Sequence, residues 1–171
     1  MINISVICVV EKKPEVFNLI KNMLGEANIF LYGLSNFSDL SNIYPFIDLL
    51  VLGDYNIYTD TILPDNIKSI LLNTDNSRNL RLNKNTQIIT CGLKEKDTAI
   101  FSSINLDEDE KSVILDLQRS IKNINGEILE PFEKQIYIHD FTENAKIKFK
   151  IKIKAEDLIL ALTALTFCGM I

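Results

Sequence analysis

The sequence predicts an α/β protein with three layers. A mainly parallel sheet is flanked by helices, and an antiparallel β section occupies the C-terminal half. Three observations predict this. Residues 2–10, INISVICVV, form an unbroken apolar, β-branched run, as a strand buried on both faces does, and a helical pattern follows directly. Short apolar runs then recur through the first half, separated by connections rich in Asn, Ser and Asp. The second half carries strand-like runs with no long helix between them, which is the pattern of hairpins.

Taken in order, the elements justify themselves as follows. Residues 14–24, PEVFNLIKNML, place Val16, Phe17, Ile20, Met23 and Leu24 on one helical face. Pro14 suits the first turn, where its missing N–H costs nothing, and Glu15 complements the helix dipole. Gly25 is placed to stop the helix. Strands are expected at 27–32, 48–52, 68–72 and 86–91, and then at 99–104, 112–117, 128–138 and 145–154. In the last run Ala145, Ile147, Phe149, Ile151 and Ile153 alternate with Lys146, Lys148, Lys150, Lys152 and Lys154. Residues 155–168 form a closing helix with Leu158, Leu162 and Leu165 on its buried side, and Gly169 ends it.

The chain has 171 residues, which suits one domain. Its 47% hydrophobic content can fill a core. A net charge of −5 argues against nucleic-acid binding through phosphates. No apolar stretch is long enough to span a bilayer, and no secretion signal is visible, so a cytoplasmic location is expected. Cys8, Cys91 and Cys168 lie far apart in apolar surroundings and read as reduced, buried thiols. His139 is the single histidine, so a site relying on several histidines is excluded.

The first strand–turn–helix is where a doubly wound protein binds phosphate. Here the turn is Val10-Glu11-Lys12-Lys13-Pro14. It has no glycine, and Pro14 removes a donor. Glu11 would repel an anion, whereas Lys12 and Lys13 could touch one; a solvated loop is the plainer reading. Asp54 follows the third strand, where a carboxylate can hold a metal or act as a base, but Gly53-Asp54 is also good turn chemistry. Asn73, Asp75 and Asn76 in LLNTDNSR could read a polar ligand or could simply make Asx turns. The lysine face of 146–154 reads as solvated or edge-guarding, and Asp107–Glu110 as a turn.

The segments LLNTDNSRNL, TQIITCGLKEKDTAIFSSI and AEDLILALTALTFCGMI, in this order and spacing, resemble the central ATPase domain of Mur ligases. The matched features are Cys91-Gly92 at a strand end, Asp97-Thr98-Ala99 to Ser102-Ser103-Ile104 after it, and the closing Cys168-Gly169-Met170-Ile171. With the first strand and helix included, the resemblance covers nearly the whole chain, 1–171, as one domain. The departures carry more information. The family's phosphate loop would fall at Val9–Pro14 and is absent. Its Asp-His pair would fall near Asp54-Tyr55-Asn56, where the His is missing. Its Gly-x-His-Asn would fall near Lys154–Asp157 and is gone.

The resemblance therefore implies a Mur-ligase-like core without the residues that activate ATP. The expected function is non-catalytic and cofactor-free: protein–protein interaction, self-association or regulation, in cell-envelope building by association. The alternative is a reduced nucleotide (ATP) or small-anion site using Lys12, Lys13, Asp54, Asn73 and Asp75. A third reading, a receiver domain of the response-regulator kind, has Asp54 after strand three but only Glu11 after strand one.

Overall fold

The computed structural model describes residues 5–25, 27–43, 46–53, 61–74, 80–81, 84–106, 111–138 and 153–171. The elements are β1 (Ser5–Val10), α1 (Glu15–Leu24), β2 (Ile29–Leu34), a short 3-10 helix (Phe37–Asn42), β3 (Ile47–Leu52), β4 (Thr61–Ile62), β5 (Ile67–Asn73) and β6 (Leu80–Arg81). They continue with β7 (Gln87–Gly92), β8 (Ala99–Asn105), β9 (Ser112–Leu117), β10 (Ile121–Lys122), β11 (Ile128–Leu129), β12 (Phe132–Tyr137) and α2 (Ala155–Phe167). The α/β class is as expected.

Eight strands form one sheet in the order β12-β9-β8-β7-β5-β3-β1-β2. Pairing is parallel from β2 through to β8 and antiparallel for β8–β9 and β9–β12. The chain leaves β1 toward β2 and then returns past β1 to β3. That reversal makes the carboxyl ends of β1 and β3 a topological switch point.

Alternation along the strands divides the core between two faces. Ile7, Val9, Leu49, Val51, Leu71 and Ile89 pack under α1 and α2. Cys8, Val10, Leu50, Leu52, Ile70 and Leu72 pack on the other face, with Leu40 of the 3-10 helix and Leu63 of a connection. Strand β3 is buried at every position, which explains its unbroken apolar run except for Asp48. Helix α2 is buried on all sides from Asp157 to Phe167, between the sheet and α1.

The sheet is stepped. Strand β8 pairs with β7 only through Cys91–Ala99 and Gly92–Ile100. It therefore starts where β7 ends and runs on to Asn105, about 16 Å beyond it at ~3.3 Å per residue. With β9 and β12 it stands as a wall above the carboxyl edge.

Three local expectations change. Pro14 is the N-cap of α1, one residue outside the helix. The run 128–138 divides at Glu130-Pro131: proline has no ladder donor, and β11 pairs back onto β10 while β12 joins β9. Of the run 145–154, Ile153 and Lys154 are not strand, and 145–152 lie outside the described residues. His139, Asp107–Glu110 and Asn76 lie outside them too.

The β10–β11 hairpin is a strut at the opposite edge. The Gln87 side chain donates through Nε2 to the Lys122 carbonyl (2.9 Å) and accepts the Lys122 N–H at Oε1 (2.8 Å). The Ile124 N–H donates to the Phe167 carbonyl at the end of α2 (2.9 Å), satisfying one of the carbonyls a helix terminus leaves unpaired. Replacing Gln87 with Ala should speed hydrogen exchange at the Lys122 amide and cost about 1 kcal/mol in a urea denaturation series.

Candidate functional site

In a doubly wound sheet the ligand crevice lies at the switch point, over the carboxyl ends of β1 and β3, facing the N-terminus of the first helix. Here that position is filled by the protein itself. Glu11, the residue after β1, is only 5% exposed. Its backbone N–H donates to the Leu34 carbonyl (3.1 Å), while the Gly53 N–H donates to the Val10 carbonyl (3.0 Å). The end of β1 is thereby pinned between β2 and β3.

The Glu11 carboxylate caps α1. Oε2 accepts the Val16 N–H (3.0 Å) and Oε1 the Phe17 N–H (2.8 Å). The remaining early donors are used as well: Glu15 N–H to the Lys13 carbonyl (2.8 Å) and Asn18 N–H to the Pro14 carbonyl (3.1 Å). Pro14 has no N–H and the Asn18 bond is the first regular turn of the helix, so the three donors left over at this helix start, Glu15, Val16 and Phe17, are all satisfied internally. A Ser, Thr, Asp or Asn at the N-cap normally makes these bonds. Pro14 carries no side-chain acceptor, so Glu11 reaches over from the strand.

Gly53 completes the lock. A Cβ there would stand 2.7 Å from the Glu11 Cβ and 3.0 Å from its Oε2. The absence of a side chain at Gly53 gives the Glu11 side chain its room. The expectation of a solvated turn holds for Lys12 and Lys13, which are exposed, and fails for Glu11, which packs inward because the helix donors attract it.

Asn73 is buried at the end of β5, paired in register with Cys91. Strand β3 separates β5 from β1, so Asn73 is about 10 Å across the sheet from the Lys12–Lys13 turn. Asp54 and Asp75, the other two expected contacts, lie outside the described residues.

One carboxylate that the sequence places only among the matched features of the resemblance is buried. Asp97, fully enclosed in the turn between β7 and β8, accepts the Lys94 N–H at Oδ2 (3.3 Å). Its Oδ1 has no hydrogen-bond partner among the described residues. Beside it Thr90 and Thr98 bond to each other, joining the two strands (Thr98 N–H to Thr90 Oγ1, 3.0 Å).

A cleft of about 660 Å³ opens at the opposite, amino-terminal edge, lined by Phe46, Asp48, Asn66, Lys68 and the hairpin. Its central charges are paired. Lys68 Nζ lies 2.7 Å from Asp48 Oδ1, and Asp48 Oδ2 accepts the Val6 N–H (2.8 Å). Among the described residues no group of three or more His, Cys, Asp or Glu side chains could hold a metal ion. No described helix is long and apolar enough to cross a membrane.

All three cysteines are free thiols. Burial pushes Cys8 up from 9.0 to about 12. Burial, and secondarily the Asp48 charge, pushes Cys168 up to about 12. Cys91 is pushed up by burial and then by the Asp97 charge. None is an activated nucleophile.

No protein-family model matches the chain, and no curated protein does.

Two outcomes follow from this geometry. Replacing Glu11 with Ala should cost about 2 kcal/mol in chemical denaturation, with Glu11→Gln losing less because it keeps one acceptor. Stability should be insensitive to thiol ionisation below pH 9.0 and fall as the pH rises from there toward 12. In that window the unfolded chain loses protons that the fold retains, at about 1.4 kcal/mol per pH unit for each buried thiol such as Cys8 or Cys91. Denaturation midpoints measured at stepwise higher pH check this.

Proposed function

We propose that this chain is a non-catalytic, Mur-ligase-core-like α/β protein that acts by protein–protein contact and needs no nucleotide cofactor. The observation that carries the reading is the Glu11 carboxylate on the N-terminus of α1. A nucleotide's phosphate would need those N–H groups, and it would meet a buried negative charge in their place. The turn's Lys12 and Lys13 alone are point charges without a backbone cradle.

Contact with another protein accords with the surface of β2. Phe30 and Tyr32 are 53% and 43% exposed there, on a strand that carries no charge. The reading extends to a cytoplasmic setting, where Cys8, Cys91 and Cys168 stay reduced, and to a regulatory part in envelope building, which rests on the family resemblance alone.

Thermal unfolding with and without millimolar magnesium-ATP tests it. The expected result is an unchanged midpoint and no phosphate release. A ligand present at 100 times its dissociation constant adds about 2.7 kcal/mol, so a rise of roughly 5–11 °C would overturn the reading. That result would restore the small-anion alternative centred on Lys12, Lys13 and Asn73, with Asp54 and Asp75.

A further inference from the structure

Strand β2 ends the sheet among the described residues. Its sequence, IFLYGL, has none of the charges, prolines or bulges that guard an edge against pairing. Successive residues of a strand turn their N–H and C=O groups to opposite edges. The Leu34 carbonyl accepts from Glu11 on the β1 side, so Phe30, Tyr32 and Leu34 direct their backbone groups toward β1. Ile29, Leu31 and Gly33 direct theirs outward. The exposed side chains of Phe30 and Tyr32 stand on one face, with ring centroids 6.5 Å apart.

We propose that β2 pairs antiparallel with β2 of a second copy of this chain, with the two-fold axis at Leu31. The proposal rests on the reading that the chain acts by protein contact, and it names the partner. In this register Leu31 faces Leu31 of the second copy, and each donates its N–H to the other's carbonyl. Gly33 N–H donates to the Ile29 carbonyl across the axis, and reciprocally. The Ile29 N–H is already held by the Ala27 carbonyl (2.8 Å). Phe30 then stands opposite Tyr32 of the second copy, and Tyr32 opposite its Phe30. Both are non-hydrogen-bonded positions, where facing side chains approach most closely.

The strand singles out this register. A two-fold axis at Ile29 would set Phe30 against Asn28, and one at Gly33 would set Tyr32 against Leu34. An axis at Phe30 or Tyr32 would fall on backbone groups already bound to β1. Only the Leu31 axis matches outward donors with outward acceptors and forms both aromatic pairs. A strand that complements itself in this way fits an isologous dimer.

Sedimentation velocity of the natural chain from micromolar to millimolar concentration tests the proposal. The mass should rise from 19.5 kDa toward twice that value, with amide exchange at Leu31 and Gly33 slowing in step. Phe30→Lys combined with Tyr32→Lys sets like charges across both pairs and should weaken association roughly tenfold or more. Phe30→Lys combined with Tyr32→Glu sets opposite charges across both and should recover most of that loss. Both side chains are exposed, and a thermal melt of each variant verifies its fold. A 19.5 kDa species at every concentration overturns the pairing, as does equal weakening by the two double variants. A monomer that also ignores magnesium-ATP overturns the dimer and leaves protein contact standing, with a different protein as occupant. A dimer that binds magnesium-ATP supports the pairing and overturns the non-nucleotide reading.

Discussion

The bond pair from the Glu11 carboxylate to the Val16 and Phe17 amides is the constraint on which the carboxyl edge of this protein depends. A helix that starts after a buried parallel strand presents unpaired N–H groups and the positive end of its dipole to whatever lies above the strand. In ligand-binding α/β proteins that position is left for an anion. Here the anion is covalently part of the chain. It arrives with β1, it is locked by Gly53 after β3, and it bonds the first turn of α1 to the end of β1. The same carboxylate thus stabilises the fold and occupies the N–H donors on which a phosphate would rely.

The rest of the architecture is consistent with a scaffold. Helix α2 is enclosed by the sheet and α1, and its last carbonyl is tied to the β10–β11 hairpin. That hairpin is in turn clamped to the foot of β7 by the Gln87 side chain. The ion pair of Lys68 with Asp48 ties β5 to β3 at the amino-terminal edge. Polar groups at both edges are thus largely engaged in holding elements together. Strand β2, in contrast, is an uncharged edge where two aromatic rings meet solvent.

Much of this fold was legible in the sequence. Period and composition located β1, α1, β3, β5, β7, β8, β9 and α2 to within a few residues, because each buries a long apolar face or run. The break at Pro131 had a visible signal, the missing donor, across which 128–138 reads as one strand. Strand order was not legible, since periodicity says which face is buried and not which strand lies beside which. The role of Glu11 was hidden for a related reason. Its partners are backbone N–H groups, aimed at it only once the helix has docked, and no side-chain motif announces them. Asp97 reads as part of the segment matched in the resemblance, and its burial shows only in the stepped junction of β7 and β8. Among the expected site residues, Lys12 and Lys13 follow β1 and Asn73 ends β5, at the carboxyl edge but after strands that do not adjoin.

The most direct test of the central claim is an amide-resolved titration of the natural chain and the Glu11→Ala variant with inorganic phosphate, followed at Val16 and Phe17. The account predicts that these two amides do not respond in the natural chain and shift saturably in the variant, where the helix terminus is opened to an external anion. Saturable shifts of Val16 and Phe17 in the natural chain would contradict it, because they would mean that Glu11 gives way and the phosphate site still exists.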